Sequence, residues 1–266
     1  FMHADGTFFR FCLPGANAVD VIALDGSVLS QCKRVADGIF TGHTSLSVSQ
    51  YLLNVTTQDT QYQVYDPYAF KDEAYHAVHF VDHVPQNVYE QLGAQIITID
   101  LDNGEQISAV RFAVFAPNAQ SVSVVAEFNL WNDLSHQMQK TDMGYWVLVI
   151  PQATVGDKYK YAIKDEHGHS LPHKADPVGF SAEQYPSHAS KIIDHNAYQW
   201  TDSKWMNRQN HDPYHQPMSI YEVQLASWKR PHDDRRYLTY RELAVDLVKY
   251  VVDMGYTHIE LMPISE

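Results

Sequence analysis

The chain has 266 residues, 45% of them hydrophobic and 12% aromatic, with a formal net charge of −13. That length accommodates about two domains at roughly 100–200 residues each. The acidic balance argues against nucleic acid and anionic membrane as partners, because neither attracts a negative surface. No apolar run approaches the roughly 20 residues of a membrane span. The opening Phe1-Met2-His3-Ala4-Asp5-Gly6 lacks the basic and apolar segments of a signal peptide, and its Phe is an unusual natural start. Cys12 and Cys32 are too few for a disulfide framework and read as isolated buried thiols of a cytoplasmic protein.

Along the chain, two stretches resemble each other about a hundred residues apart, the size of one small domain. Arg10-Phe11-Cys12-Leu13-Pro14-Gly15-Ala16-Asn17-Ala18-Val19-Asp20-Val21 parallels the run from Arg111-Phe112-Ala113-Val114-Phe115-Ala116-Pro117-Asn118-Ala119 to Val124. Each sets an alternating strand, a Pro/Gly/Asn turn and a second alternating strand, which predicts a β-hairpin. Each copy closes alike, with Tyr65-Asp66-Pro67-Tyr68-Ala69-Phe70 in the first and Ala175-Asp176-Pro177-Val178-Gly179-Phe180 in the second. Short strands at regular spacing predict a β-sandwich for each copy. In both Asp-Pro elements the Asp side chain is expected to cap backbone donors.

Between the copies, Lys71 to Ala94 reads as a linker with a short helix at Asn87 to Leu92, ended by Gly93. Gln184 to Gln216 is a second irregular stretch, expected to be pinned to a neighbour by Trp200 and Trp205. Ser219 to Leu225 then predicts a strand. Thr239-Tyr240-Arg241-Glu242 has the form of a capping box. Behind it Leu243, Leu247, Val248, Val251 and Met254 share one helical face, and Gly255 suits the left-handed C-terminal position. Tyr256 to Pro263 predicts a second strand. Strand, helix and strand within about fifty residues form a βαβ crossover with a parallel pair. Two parallel strands cannot bury both faces, so the unit is expected to belong to something larger.

The run Val110 to Ala119, followed by Phe128-Asn129-Leu130-Trp131 and Tyr159-Lys160-Tyr161, resembles the carbohydrate-binding sandwich, of the family-48 type, that precedes the barrel in α-glucan branching and debranching enzymes. Ser219-Ile220-Tyr221-Glu222-Val223-Gln224-Leu225-Ala226-Ser227-Trp228, with Leu238 to Leu243 and His258 to Pro263, looks like the first barrel segments of the bacterial 1,4-α-glucan (glycogen) branching enzymes. The resemblance covers essentially the whole chain. It implies a mainly β protein. Two tandem immunoglobulin-like sandwiches (1–94, with the linker, and 95–205) precede the first βαβ unit (206–266) of an incomplete (β/α)₈ barrel of glycoside hydrolase family 13.

The implied activity is retaining transglycosylation. An α-1,4 segment is cleaved, held covalently and passed to a glucose 6-hydroxyl, using a nucleophile and an acid/base carboxylate about 5 Å apart. Those carboxylates belong to later barrel strands, so the resemblance assigns no catalytic residue to this chain. It implies an α-glucan partner (glycogen or linear malto-oligosaccharide), a cytoplasmic location, no metal and no organic cofactor. The other partner it implies is the remainder of the barrel. The alternatives are a debranching or trehalose-releasing relative, or a glucan-binding module without catalysis. Ser227-Trp228 favours branching. The chain departs from the family pattern at Ala126-Glu127, at Gln224 and Ala226, and at Leu171-Pro172-His173-Lys174, where related sandwiches often carry a second tryptophan.

Trp131 either stacks on a glucose ring, as its turn-forming neighbours Asn129 and Asn132 suggest, or packs in the protein. Lys160 either bonds a sugar hydroxyl or is simply solvated on an alternating strand. Trp146 reads as core. His76, His79 and His83 have helical spacing but lack the closed ligand set of a metal site. His167, His169 and His173 read as surface residues of a turn. Glu260 reads as a structural hydrogen-bond or ion-pair residue, since one carboxylate alone does no glycosidic chemistry.

Overall fold

The computed structural model describes residues 2–3, 6–70, 87–207 and 215–264. Most of the linker lies outside the described residues, and His76, His79 and His83 lie there with it. The chain forms two compact units, Phe1–Tyr198 and Gln199–Glu266.

In the first unit the N-terminal sandwich is built from β1 (Met2–His3), β2 (Gly6–Cys12), β3 (Ala18–Ile22), β4 (Val28–Gln31), β5 (Lys33–Ala36), β6 (Ile39–Thr44), β7 (Leu52–Thr56) and β8 (Gln61–Tyr65). They form two antiparallel sheets, ordered β1-β2-β6-β5 and β4-β3-β7-β8. Phe9, Phe11, Val19, Val21, Phe40, Leu53 and Val55 fill the space between them. The alternation that buries Phe9 and Phe11 turns Cys12 outward, so this thiol is exposed rather than buried as expected, and Cys32 is only half-buried. The 3₁₀ turn Pro67–Phe70 closes the domain.

The second sandwich follows helix α1 (Val88–Gln91). Its strands are β9 (Gly93–Asp100), β10 (Gln106–Phe115), β11 (Ser121–Ala126), β12 (Gln139–Lys140), β13 (Tyr145–Ile150), β14 (Lys158–Lys164) and β15 (Ser190–Lys191). The sheets are ordered β12-β13-β10-β9 and β11-β14-β15. Phe112, Val124, Leu148, Ile150, Tyr159 and Tyr161 are among the buried residues between them. The expected core position of Trp146 holds: it is buried, and its indole Nε1 donates to the Ala116 carbonyl at 2.9 Å.

The expected hairpins are not present. β2 and β3 lie in opposite sheets, and so do β10 and β11. The Pro-Gly and Pro-Asn turns therefore arch from one sheet to the other. An arch and a hairpin share the same local pattern of strand, turn and strand; the difference lies in the partners, which for β2 are β1 and β6 and for β10 are β9 and β13.

The middle sheet is covered on both faces. Trp146, Leu148 and Ile150 of β13 point into their own sandwich, while Val147 and Val149 join Ala109, Ala113, Ile99 and Leu101 around Phe70 of the first domain. A strand buried on both faces loses its alternation, which is why Tyr-Trp-Val-Leu-Val-Ile reads as continuously apolar. Polar contacts reinforce the seam. Gln50 bonds the Asp100 carbonyl and the Asp102 amide at 3.3 and 2.8 Å, and the Ser49 hydroxyl donates to Asp102 at 2.8 Å.

The second unit contains α2 (Ser203–Met206), β16 (Ile220–Val223), α3 (Leu225–Trp228), α4 (Tyr240–Asp253) and β17 (His258–Leu261). β16 and β17 pair in parallel, with Ile220 opposite His258 and Val223 opposite Leu261. Thr239 and Glu242 form the reciprocal capping box. At the other end the Tyr256 amide bonds the Val251 carbonyl and the Gly255 amide that of Val252, a Schellman motif with Gly255 at φ +81°. Leu243, Leu247 and Val251 are buried as expected, whereas Val248 and Met254 are exposed because they lie beyond the stripe that covers Val223. Glu260 sits opposite Glu222 and is exposed; its expected ion pair is not formed with any described residue. Trp200 and Trp205 are largely exposed.

Candidate functional site

Strand β14 sets the geometry. Its alternation turns Tyr159 and Tyr161 into the core and Lys160 outward. Both tyrosine hydroxyls donate to Oδ2 of the buried Asp176, at 2.7 and 2.8 Å, while Asp176 Oδ1 accepts the Val178 amide at 2.9 Å. The Ser190 hydroxyl accepts the Asp176 amide at 2.9 Å. Burial pushes the Asp176 carboxyl up, and these donors pull it part of the way back. Burial also pushes both phenols well up, with the nearby carboxylate adding to the effect.

The first sandwich repeats the device with one tyrosine. Tyr51 donates to Asp66 at 2.6 Å, and the Tyr68 amide donates to Asp66 Oδ1 at 3.0 Å. The Asp-Pro elements thus cap backbone donors as expected, and each also anchors a buried phenol. Sequence reasoning missed the phenols, although Tyr159 and Tyr161 at a spacing of two were a usable signal.

Trp131 follows β11 on a short loop. Glu127–Asn129 forms a 3₁₀ turn, and then Leu130 and Trp131 both take left-handed backbone, at φ 54° and 59°. Consecutive non-glycine residues there are uncommon and need external support. Asn129 supplies it: its Oδ1 accepts the Ala126 amide at 2.9 Å, and its Nδ2 donates to the Val124 carbonyl at 2.8 Å and meets His136 Nδ1 at 3.0 Å. The Trp131 amide donates to the Ala126 carbonyl at 2.9 Å. Trp131 is left 36% exposed, and Leu130 projects into solvent.

Ala126 pairs with Tyr159, and Val125 with Lys160. The backbones of Trp131 and Lys160 therefore converge at one end of the β11–β14 ladder. Lys160 Nζ lies 3.1 Å from His188 Nε2. Next to it Lys158 bridges Glu127 and Glu183 at 3.3 and 3.1 Å, and Glu183 accepts the Ala189 amide at 3.1 Å. These contacts raise the Lys158 ammonium and lower the Glu183 carboxyl. The edge thus offers a half-exposed indole, an ammonium donor and an imidazole, a combination suited to a neutral polyhydroxylated ring. His188 was not singled out from the sequence, where nothing local links it to Lys160.

Residues 91–179 match carbohydrate-binding module 48, the isoamylase N-terminal domain. Over 260 residues the chain is 54% identical to a 1,4-alpha-glucan branching enzyme of Pseudoalteromonas atlantica, an alignment that covers 96% of this chain and 36% of the relative. The chain is a homologue of the bacterial 1,4-alpha-glucan branching enzymes. The branching enzyme of Aliivibrio fischeri is 44% identical over 269 residues, with 98% of this chain and 36% of that protein covered. That of Vibrio cholerae is 40% identical over 268 residues, with 100% and 36% covered. The chain thus spans little more than a third of the length of these relatives.

Proposed function

We propose that this chain is the N-terminal portion of a 1,4-α-glucan branching enzyme of glycogen biosynthesis. The supporting observation is that identity of 54% spans 96% of the chain, which reaches past the sandwiches and into the parallel strand–helix–strand. A free-standing glucan-binding module needs no such element. In this reading 1–94 and 95–205 are the two sandwiches, and 206–266 begins the (β/α)₈ barrel. The complete enzyme cleaves an α-1,4-linked segment and transfers it to a 6-hydroxyl through two carboxylates carried by later barrel strands. It works on glycogen or linear malto-oligosaccharide in the cytoplasm. Among the described residues, no helix is long and apolar enough to cross a membrane.

The second sandwich contributes a weak glucan contact through Trp131 and Lys160. Its other role is to support the barrel. The test is incubation with amylose, following iodine colour and α-1,6 linkages. The 266-residue chain is expected to be inactive, and the product of the gene read beyond Glu266 to form branches in proportion to protein. Branching by the 266-residue chain, or linkage hydrolysis without transfer by the longer product, overturns the reading.

A further inference from the structure

Within the first unit a cleft of about 260 Å³ opens between the two sandwiches, walled by β8 and the Asp66-Pro67-Tyr68 turn on one side and by Phe128, Ser135, His136 and Gln152 on the other. We propose that this cleft is a second carbohydrate site, distinct from the Trp131 edge, which takes one neutral pyranose ring of a short α-glucan.

The walls supply the stacking surface. Tyr62 and Tyr68 are 46% and 41% exposed, and Phe128 lies edge-on to His136 with ring centroids 5.4 Å apart. Aromatic faces of this kind match the C–H face of a sugar ring. The size suits one ring, being below the roughly 300–1,000 Å³ of pockets for drug-sized ligands.

The polar groups match a hydroxyl, which both donates and accepts. Gln152 Nε2 donates to the Tyr65 carbonyl, which fixes the amide; its Oε1 is buried with no partner among the described residues. A buried acceptor left in this way calls for a donor from a ligand or solvent. His136 supplies the complementary group. Asn129 Oδ1 is committed to the Ala126 amide, so the end of Asn129 facing His136 Nδ1 is the NH₂. An NH₂ only donates, so Nδ1 accepts and the imidazole proton sits on Nε2. Burial holds the ring at about 4, which keeps it neutral at physiological pH. The cleft carboxylate, Asp66, is already engaged by Tyr51 and the Tyr68 amide and does not require a cation.

The choice of an α-glucan among sugars rests on the proposed function. The test is an NMR titration of the 266-residue chain with maltose, reading the His136 ring and the Tyr68 and Ser135 amides. Saturable shifts are expected, with a dissociation constant in the roughly millimolar range. Tyr62→Ala, on an edge strand, and Gln152→Leu should each weaken it by about fivefold or more, an effect near 1 kcal/mol. Trp131→Ala should leave these signals unchanged. No shift at tens of millimolar maltose overturns the proposal, as does loss of the shifts in Trp131→Ala alone. Shifts with inorganic phosphate in place of maltose also overturn it, since they would make the cleft an anion site beside Arg10. None of these failures touches the branching reading, which is decided by the products of the longer protein.

Discussion

Strands β13 and β17 show two different degrees of completion within one chain. From Trp146 to Ile150 every β13 residue is buried, on both faces. Every residue of β17 is exposed, with Ile259 at 36% and Leu261 at 43%. Yet the local hydrogen bonds around β17 are in place: α4 has a capping box and a Schellman end, and β17 pairs in parallel with β16. Helix caps and a single strand pairing can therefore form locally while apolar burial does not. Burial needs surfaces brought from elsewhere in the sequence, and it stabilises a fold more than the hydrogen bonds do.

Hydrogen exchange provides the most direct way to break this comparison. Amides of β10 and β13 should exchange on the order of a thousandfold more slowly than those of β16 and β17, a difference of about 4 kcal/mol. Equal protection would mean that the parallel pair has found another covering surface, such as a second copy of the chain. Mutation sharpens it next. Phe112→Ala, in the core between the two sheets, should cost about 3–5 kcal/mol, read as the loss of the main unfolding transition in urea. Val223→Ala should leave that transition in place, because the two units are separately compact.

A pH effect of intermediate size belongs to the sandwich side alone. His136 is lowered by burial from 6.5 to about 4. Its unfolded form takes up a proton that the folded form refuses, so stability is full above about pH 6.5 and falls as pH drops toward 4. The loss amounts to about 3 kcal/mol. The buried carboxyls of Asp66 and Asp176 are raised and act in the opposite direction. The quantity to measure is therefore the difference from His136→Gln, whose pH slope in this window should be smaller by up to one proton. Unchanged slopes would remove the assignment.

Thr239→Ala should cost α4 about 1 kcal/mol, seen as roughly fivefold faster exchange from Tyr240 to Leu247 and no change in β13. The smallest effect concerns the ligand. Trp131→Ala should weaken maltoheptaose binding, followed by tryptophan fluorescence, by about 1 kcal/mol. Unchanged affinity would make Trp131 a packing residue.

What could be read from the sequence divides along the same line. The capping box at Thr239, the glycine at 255 and the spacing of Leu243, Leu247 and Val251 are signals within a few residues, and the helix they predict is present. The sandwiches followed from strand spacing and the repeated Asp-Pro element. The hairpins were misread because an arch differs from a hairpin only in its distant partner. The site was partly legible. Trp131 and Lys160 could be named, but not the ladder pairing that brings their backbones together, nor His188. Asn129 was read as a sign of exposure, whereas its side chain is the internal clamp of the loop, joined to a histidine seven residues away.

The doubly covered sheet also determines where this chain can vary. In β13 no position from 146 to 150 faces water, so a polar substitution at any of them strands a hydrogen-bonding group in an apolar surrounding. A saturation scan would find five adjacent codons with almost no permitted drift. In β5, whose four residues are all exposed, the same scan would find wide latitude. Mutational freedom in this molecule is thus set by the number of neighbouring layers, and two strands of one compact unit can stand at opposite ends of that scale.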